Sequence, residues 1–168
     1  MATALTSMTR LAARCLDLVY PRDCVVTGRP VEPDSPTRYL SAAGRSELFL
    51  INDPACPTCG APIFGEVLAS RVCPHCRELE PAFNQGRALF LAKDAGRELI
   101  HLLKYQKGRY LLPDIAFLAK SHQRFSDYLN DSIIVPVPLH TKRLRDRGYN
   151  QSLLIAKFIF ANAKNIET

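Results

Sequence analysis

The residues best suited to chemistry in this 168-residue chain are its cysteines. Four of the six form two pairs, Cys56-Pro57-Thr58-Cys59-Gly60 and Cys73-Pro74-His75-Cys76, with thirteen residues between the pairs. Two residues between cysteines let both sulfurs of a tight turn face one ion, and backbone N–H groups inside the turn can donate to the thiolates. The glycine after the second cysteine supplies a positive φ that other residues resist. Two such turns make the tetrahedral four-sulfur set that Zn²⁺ takes in structural sites, which leaves no open position for catalysis. A thioredoxin-like redox site would need one Cys-x-x-Cys on a helix after a strand, and the proline-rich surroundings argue against it. Interlocking disulfides would need an exported chain. The expectation is one structural zinc ion on Cys56, Cys59, Cys73 and Cys76, with His75 a bystander and with Arg71 and Arg77 placed to soften the thiolate charge. The ion would largely fold its own segment.

Cys24 stands apart. In Cys24-Val25-Val26-Thr27-Gly28, Thr27 occupies the place of a second cysteine. Further on, Leu40-Ser41-Ala42-Ala43-Gly44 has the shape of another such turn, with Ser41 and Gly44 where cysteines would be. One thiol cannot hold structural zinc, so no metal is expected there.

A second group of chemical interest is cationic. Lys142, Arg143, Arg145 and Arg147 fall within six residues, opposed only by Asp146. Arginine can grip a phosphate with two parallel bonds and lysine acts as a point charge. Gly148 permits a tight return, and Asn150 and Gln151 offer amides near a helix start. Lys142, Arg143, Arg147, Asn150 and Gln151 are therefore the candidate phosphate or nucleotide contacts; no catalytic residue is identifiable. The bland alternative is a solvated basic loop. The chain has 22 Lys+Arg against 16 Asp+Glu, a net charge of +6. Residues 1–60 hold six of each sign, so the whole excess lies beyond residue 60, where it favours phosphate-bearing partners.

These groups need elements to position them. Hydrophobic residues make up 47% and charged residues 23%, which excludes a wholly disordered or collagen-like chain. No run approaches the roughly 18 apolar residues of a membrane span. Leu5, Met8, Leu11, Ala12, Cys15, Leu16 and Val19 predict an amphipathic helix over residues 1–20. Arg10 and Arg14 interrupt its apolar run and argue against a signal peptide, so a cytoplasmic chain is expected. Residues 21–62 are rich in Pro, Gly, Ser and Thr, with one short apolar piece at 48–51. Residues 88–92 predict a short buried strand, and Asp94 an N-cap for a helix carrying Leu99, Ile100, Leu102 and Leu103. Pro113 opens another helix, with Ile115, Phe117, Leu118 and Phe125. The β-branched run 133–137 predicts a buried strand, with a basic loop over 140–148 beyond its carboxyl end, where open α/β sheets hold ligands. A helix over 152–160 follows. No internal repeat is visible beyond the cysteine pairs.

Several segments together resemble the ComF family. They are Leu18-Val19-Tyr20-Pro21-Arg22-Asp23-Cys24, the cysteine turns, Leu103-Lys104-Tyr105, Val135-Pro136-Val137-Pro138-Leu139 and Arg147-Gly148-Tyr149-Asn150-Gln151-Ser152, in that order. The resemblance implies a cytoplasmic bacterial protein, tied in some relatives to uptake of transforming DNA, with a double zinc ribbon before a phosphoribosyltransferase-type domain. The expected fold class is therefore α/β: a small N-terminal helix and zinc ribbon over residues 1–80, its upstream half degenerate, then an incomplete phosphoribosyltransferase-like α/β domain over 81–168. Two departures matter. The upstream ligand set is reduced to Cys24, so one ion is expected rather than two. The signature loop for phosphoribosyl pyrophosphate, an apolar strand, two adjacent carboxylates and a Thr- and Gly-rich turn, has no match here; residues 23–28 have one acid and no strand ahead of them. In ComF relatives that loop lies beyond the Arg-Gly-Tyr-Asn-Gln motif. Phosphoribosyl pyrophosphate is thus expected as a ligand only of a longer chain, and the length given is expected to be inactive. The expected partner is a phosphorylated small molecule. The alternative is a non-enzymatic zinc-ribbon adaptor for single-stranded DNA or for a DNA-uptake protein.

Overall fold

The computed structural model describes residues 22–65, 71–129 and 133–160. The helix predicted over residues 1–20 lies outside them.

The first part of the described chain is a repeat. Cys24 N–H donates to the Arg29 carbonyl at 2.8 Å and Gly28 N–H to the Cys24 carbonyl at 2.8 Å, while Asp23 bridges Pro30. The same pattern recurs 32 positions later: Cys56 N–H donates to Ala61 at 2.8 Å, Gly60 N–H to Cys56 at 2.9 Å, and Ala55 bridges Pro62. Gly28 and Gly60 both need a positive φ, +64° and +74°. The repeat continues into two short helices, α1 (Ala42–Ser46) and α2 (Pro74–Leu79). Ser41 caps α1 by accepting from Gly44 N–H at 3.0 Å, and Cys73 caps α2 by accepting from Cys76 N–H at 3.4 Å. Positions 24, 27, 41 and 44 thus correspond to 56, 59, 73 and 76. This bears out the correspondence suggested by Cys24, Thr27, Ser41 and Gly44 and extends it to the backbone, so the chain does hold a repeat beyond its cysteine pairs.

Residues 49–51 and 89–91 pair antiparallel, with Ile51 N–H on Leu89 and Leu91 N–H on Phe49, both at 3.0 Å. The strand predicted over 88–92 is therefore one isolated bridge, Leu50 to Phe90. The chain then turns tightly into α3 (Asp94–Tyr105), so tightly that a Cβ on Gly96 would strike the Leu91 carbonyl. Lys93 rather than Asp94 takes the N-cap position, with no side-chain cap; Asp94 instead sits in the first turn, where its charge suits the helix dipole. Leu99 and Leu103 form the buried stripe.

A 3₁₀ turn (Gly108–Leu111) leads into α4 (Leu112–Ser121), whose Pro113 sits in the first turn as predicted. α4 stops at His122, which is extended, so Phe125 falls on a separate helix, α5 (Gln123–Leu129). α6 (Thr141–Arg147) and α7 (Gln151–Ile159) complete the described chain, and α7 packs along α4.

Residues 133–137 are not buried. Ile133, Val135 and Val137 are 67%, 68% and 71% exposed. Alternation puts these β-branched side chains on one face, and no described element covers that face. A continuous apolar run is buried only when neighbours lie on both its sides. Among the described residues the secondary structure is helices and isolated bridges, and none of the helices is long and apolar enough to cross a membrane.

One core joins the two parts. Cys24, Val31, Leu40 and Leu48 from the repeat pack in a single cluster with Leu99, Leu103, Leu111, Leu112, Ile115 and Leu118. Asp114 of α4, only 2% exposed, accepts the N–H groups of Arg38 at 2.9 Å and Tyr39 at 2.7 Å. Those two bonds offset the cost of burying its carboxylate and fasten the loop before α1 to α4.

Candidate functional site

The second repeat unit brings its four sulfurs together. The Sγ atoms of Cys56, Cys59, Cys73 and Cys76 all lie within 4.8 Å of one another. Zn–S bonds of about 2.3 Å in a tetrahedron place sulfurs roughly 3.8 Å apart. The Cys59–Cys73 separation is 3.8 Å. Cys76 N–H donates to Cys73 Sγ within its turn and Cys73 N–H donates to Cys56 Sγ across the two turns, both at 3.4 Å. A Cβ on Gly60 would come within 2.7 Å of the Gly86 carbonyl, so residue 60 must be glycine for the chain at 86–87 to lie across the turn. Burial raises the Cys56 thiol, but the N–H groups of Cys59, Cys73 and Thr58 outweigh it and bring the group down to about 6. Burial and the adjoining thiols push Cys76 up to about 12, and burial also raises Cys59. Four thiolates this close repel one another, and a divalent cation at their centre is what stabilises all four. The donor set fits one structural zinc ion. His75 is exposed and outside the cluster.

The first repeat unit has the same backbone with different chemistry. Cys24 is 1% exposed, and its thiol hydrogen-bonds with the side chains of Ser41 and Thr27. Burial raises this thiol, whereas those bonds and the neighbouring backbone bring it down to about 7. Gly44 has no side chain, and a Cβ there would strike Cys24 Sγ. A sulfur and two hydroxyls thus fill the space that four sulfurs occupy 32 residues later. Among the described residues, the Cys56, Cys59, Cys73 and Cys76 set is the one cluster with enough metal-ligating side chains.

The cationic segment forms the wall of a cavity of about 330 Å³. The basic loop predicted over 140–148 is the helix α6, capped at its start by His140, whose Nδ1 accepts from Lys142 N–H at 3.2 Å, and closed by Gly148 at φ +77°. Helical spacing puts Arg143, Asp146 and Arg147 on one face, and all three line the cavity. Lys142 does not. Across from them stand Lys104 and Tyr105, at the end of α3, and Lys107 in the turn that follows. The dipole of α3 favours cations at that end. Tyr149 closes the lining.

Several side chains hold this arrangement. Arg147 donates to Gln151 Oε1 at 2.9 Å and lies over the Tyr105 ring, 5.0 Å from its centre. Asn150 caps α7, accepting from Ser152 and Leu153 N–H at 3.0 and 3.4 Å, and donates to the Val137 carbonyl at 3.0 Å. Tyr149 is 9% exposed; its hydroxyl donates to the Leu103 carbonyl and Arg109 lies over its ring at 5.5 Å. Burial raises its phenol above the ordinary value, opposed by Arg109 and Arg147. Of the five candidate phosphate contacts, Arg143 and Arg147 face the cavity. Asn150 and Gln151 bind the protein's own backbone and Arg147. The opposing wall had one sequence signal, the Leu103-Lys104-Tyr105 segment, and Tyr149 fell within the Arg147–Ser152 motif; Lys107 gave no signal.

Comparison with known proteins bears on both sites. Residues 15–78 match the model of the double zinc ribbon domain, a span that contains both repeat units. Over 140 residues the chain is 27% identical to "Competence protein ComFC" of Bacillus subtilis (strain 168), an alignment that covers 79% of this chain and 56% of that protein. The chain therefore spans about half the length of the curated relative it matches. No solved structure gives a significant match. With one complete and one emptied ligand set on the same repeated backbone, and with both comparisons pointing the same way, the chain carries a double zinc ribbon and is similar to the proteins of the ComF family.

Proposed function

We propose that this is a ComF-like, competence-related protein in which a one-zinc ribbon braces a cationic cavity that binds a phosphorylated small molecule. The observation that carries this reading is the convergence of Lys104, Lys107, Arg143 and Arg147 around one concave space, opposed only by Asp146. Like charges gathered in a cleft raise the local concentration of anions and are themselves stabilised by one. The name of the Bacillus relative supports the competence link. Four cysteines serving as zinc ligands suit a reducing, cytoplasmic compartment.

In this reading residues 1–80 are the ribbon module and residues 81–168 the first part of a phosphoribosyltransferase-type α/β domain. The exposed β-branched face of residues 133–137 supports that, because it is the face a strand presents to sheet and helix neighbours. The residues present supply charge for a phosphate but no paired carboxylates for ribose hydroxyls. Binding is what is assigned to them. Single-stranded DNA fits less well: Tyr105 is an exposed ring beside Arg147, yet a stacking platform needs a series of such rings.

Isothermal titration of the zinc-loaded chain with inorganic phosphate, and with an oligonucleotide at two salt concentrations, tests the choice. The expected result is one saturable site for the small molecule that is lost in Arg143→Ala, with weaker, strongly salt-dependent oligonucleotide binding. Tight oligonucleotide binding with no small-molecule site would favour the adaptor reading.

A further inference from the structure

α5 has little hold on the core. None of its seven residues is buried, and Phe125 packs against the cluster from its edge. A helix that short does not persist in water on its own hydrogen bonds. α4, by contrast, buries Leu112, Ile115, Leu118 and Ala119. What fastens α5 is a set of polar contacts with residues on either side of the zinc turns. At its start, His122 Nε2 lies 3.0 Å from Asn52 Oδ1, and Arg124 Nε pairs with Asp53 Oδ1 at 3.3 Å. Toward its end, the Tyr128 hydroxyl donates to the Gln85 carbonyl at 3.1 Å, and Arg87 lies over the Tyr128 ring, 5.8 Å from its centre. Residues 86 and 87 are in turn seated on the Cys56–Cys59 turn. Gly86 N–H donates to the Thr58 carbonyl, and Arg87 Nη1 donates to the Pro57 carbonyl at 3.0 Å. The turn aims N–H groups of Thr58 and Cys59 at the Cys56 sulfur, while the carbonyls of Pro57 and Thr58 serve residues 86 and 87. An ion that fixes the turn therefore fixes those two acceptors.

We propose that the Cys56–Cys59 turn, residues 85–87 and Tyr128 form a metal-linked clasp: a loaded zinc site orders α5, and an emptied one releases it while the core around α3 and α4 stays folded. That core is joined by the upstream repeat unit, whose Cys24, Val31, Leu40 and Leu48 pack into it without a metal ion. Losing the ion therefore removes the support of α5 and leaves that of α3 and α4. Release has a consequence at the surface. α5 contributes Ser126 and Leu129 to a cavity of about 180 Å³, which it shares with Ala119 and Lys120 of α4 and with Ile159 and Phe160 at the end of α7. With α5 loosened, this space becomes an open cleft between α4 and α7, so the metal state of the ribbon is displayed on the helical part. The clasp stands apart from the anion-binding reading and does not depend on it.

Amide hydrogen exchange of the whole chain, zinc-loaded and after chelation under reducing conditions, reads this directly. Zinc removal is expected to speed exchange in α5 by about tenfold or more and in α3 and α4 by less than about threefold. Tyr128→Phe removes one hydroxyl and touches no cysteine. In its zinc-loaded form, α5 should exchange about threefold or more faster than in the wild type. Linkage is reciprocal, so the same variant should also hold zinc about twofold or more weakly in competition with a chelator. Unchanged exchange in α5 on zinc removal overturns the proposal. Loss of protection along the whole chain at once also overturns it, since zinc would then be a condition of the entire fold. A folded Tyr128→Phe with wild-type α5 exchange or wild-type zinc affinity overturns it as well. The wild-type comparison decides even where the variant does not fold.

Discussion

Cys24 and Cys56 occupy equivalent places in the repeat and have opposite surroundings. Cys56 faces three other sulfurs, whereas Cys24 faces the hydroxyls of Thr27 and Ser41 and the bare Cα of Gly44. Because hydrogen bonds outweigh burial at Cys24, its thiol is brought down to about 7 from 9.0. An acid whose pKa is depressed by folding stabilises the fold above its unfolded value, and that contribution is lost as pH falls through the folded value. The stability advantage of wild type over Cys24→Ser in urea unfolding should therefore be larger at pH 9 than at pH 6.5. Parallel pH curves would contradict that environment. Gly44→Ala drives a methyl group into the Cys24 sulfur and should cost about 1–3 kcal/mol in the same assay, through overpacking and not through any loss of zinc.

At the scale of elements, the zinc half was legible because its ligands are chemically conspicuous and their spacing has few other uses. The duplication was legible only in outline: Thr27, Ser41 and Gly44 share no chemistry with cysteine, and what repeats in full is a set of backbone bonds and a glycine with positive φ. The emptied site could still be suspected, since its turns keep their Cys-x-x-x-Gly and Ser-x-x-Gly outlines. α6 was read as a loop because Thr141–Arg147 has a single apolar residue, Leu144, and so no hydrophobic period; its His140 and Gly148 caps specify the helix instead. The run 133–137 misled in the other direction, since hydrophobicity announces that a strand wants covering and says nothing of what covers it. If the two halves share one backbone, Thr27→Cys, Ser41→Cys and Gly44→Cys combined should raise the zinc content from one to two ions per chain by elemental analysis, with Cys24 swinging toward the new ion. A folded triple variant with one ion would show that the upstream half can no longer close around a metal.

For the whole molecule, the ribbon and the helices are bound into one core, and the upstream, metal-free half is the part that joins it. Asp114 is the polar fastening. Asp114→Ala leaves the N–H groups of Arg38 and Tyr39 without their carboxylate and should cost about 2–4 kcal/mol, with zinc content unchanged. Loss of zinc in that variant would mean that the downstream turn depends on the fastening. In the proposed reading the zinc site has a structural part: it folds the turn against which residues 86–87 lie, while binding is assigned to the cavity between α3 and α6. The most direct test is to titrate the isotope-labelled, zinc-loaded chain with inorganic phosphate and follow the backbone amide resonances. Saturable shifts concentrated at Lys104, Lys107, Arg143, Arg147 and Tyr149 are the predicted result. Shifts centred elsewhere, or none at saturating ligand, would contradict the assignment of this cavity as a phosphate-binding site.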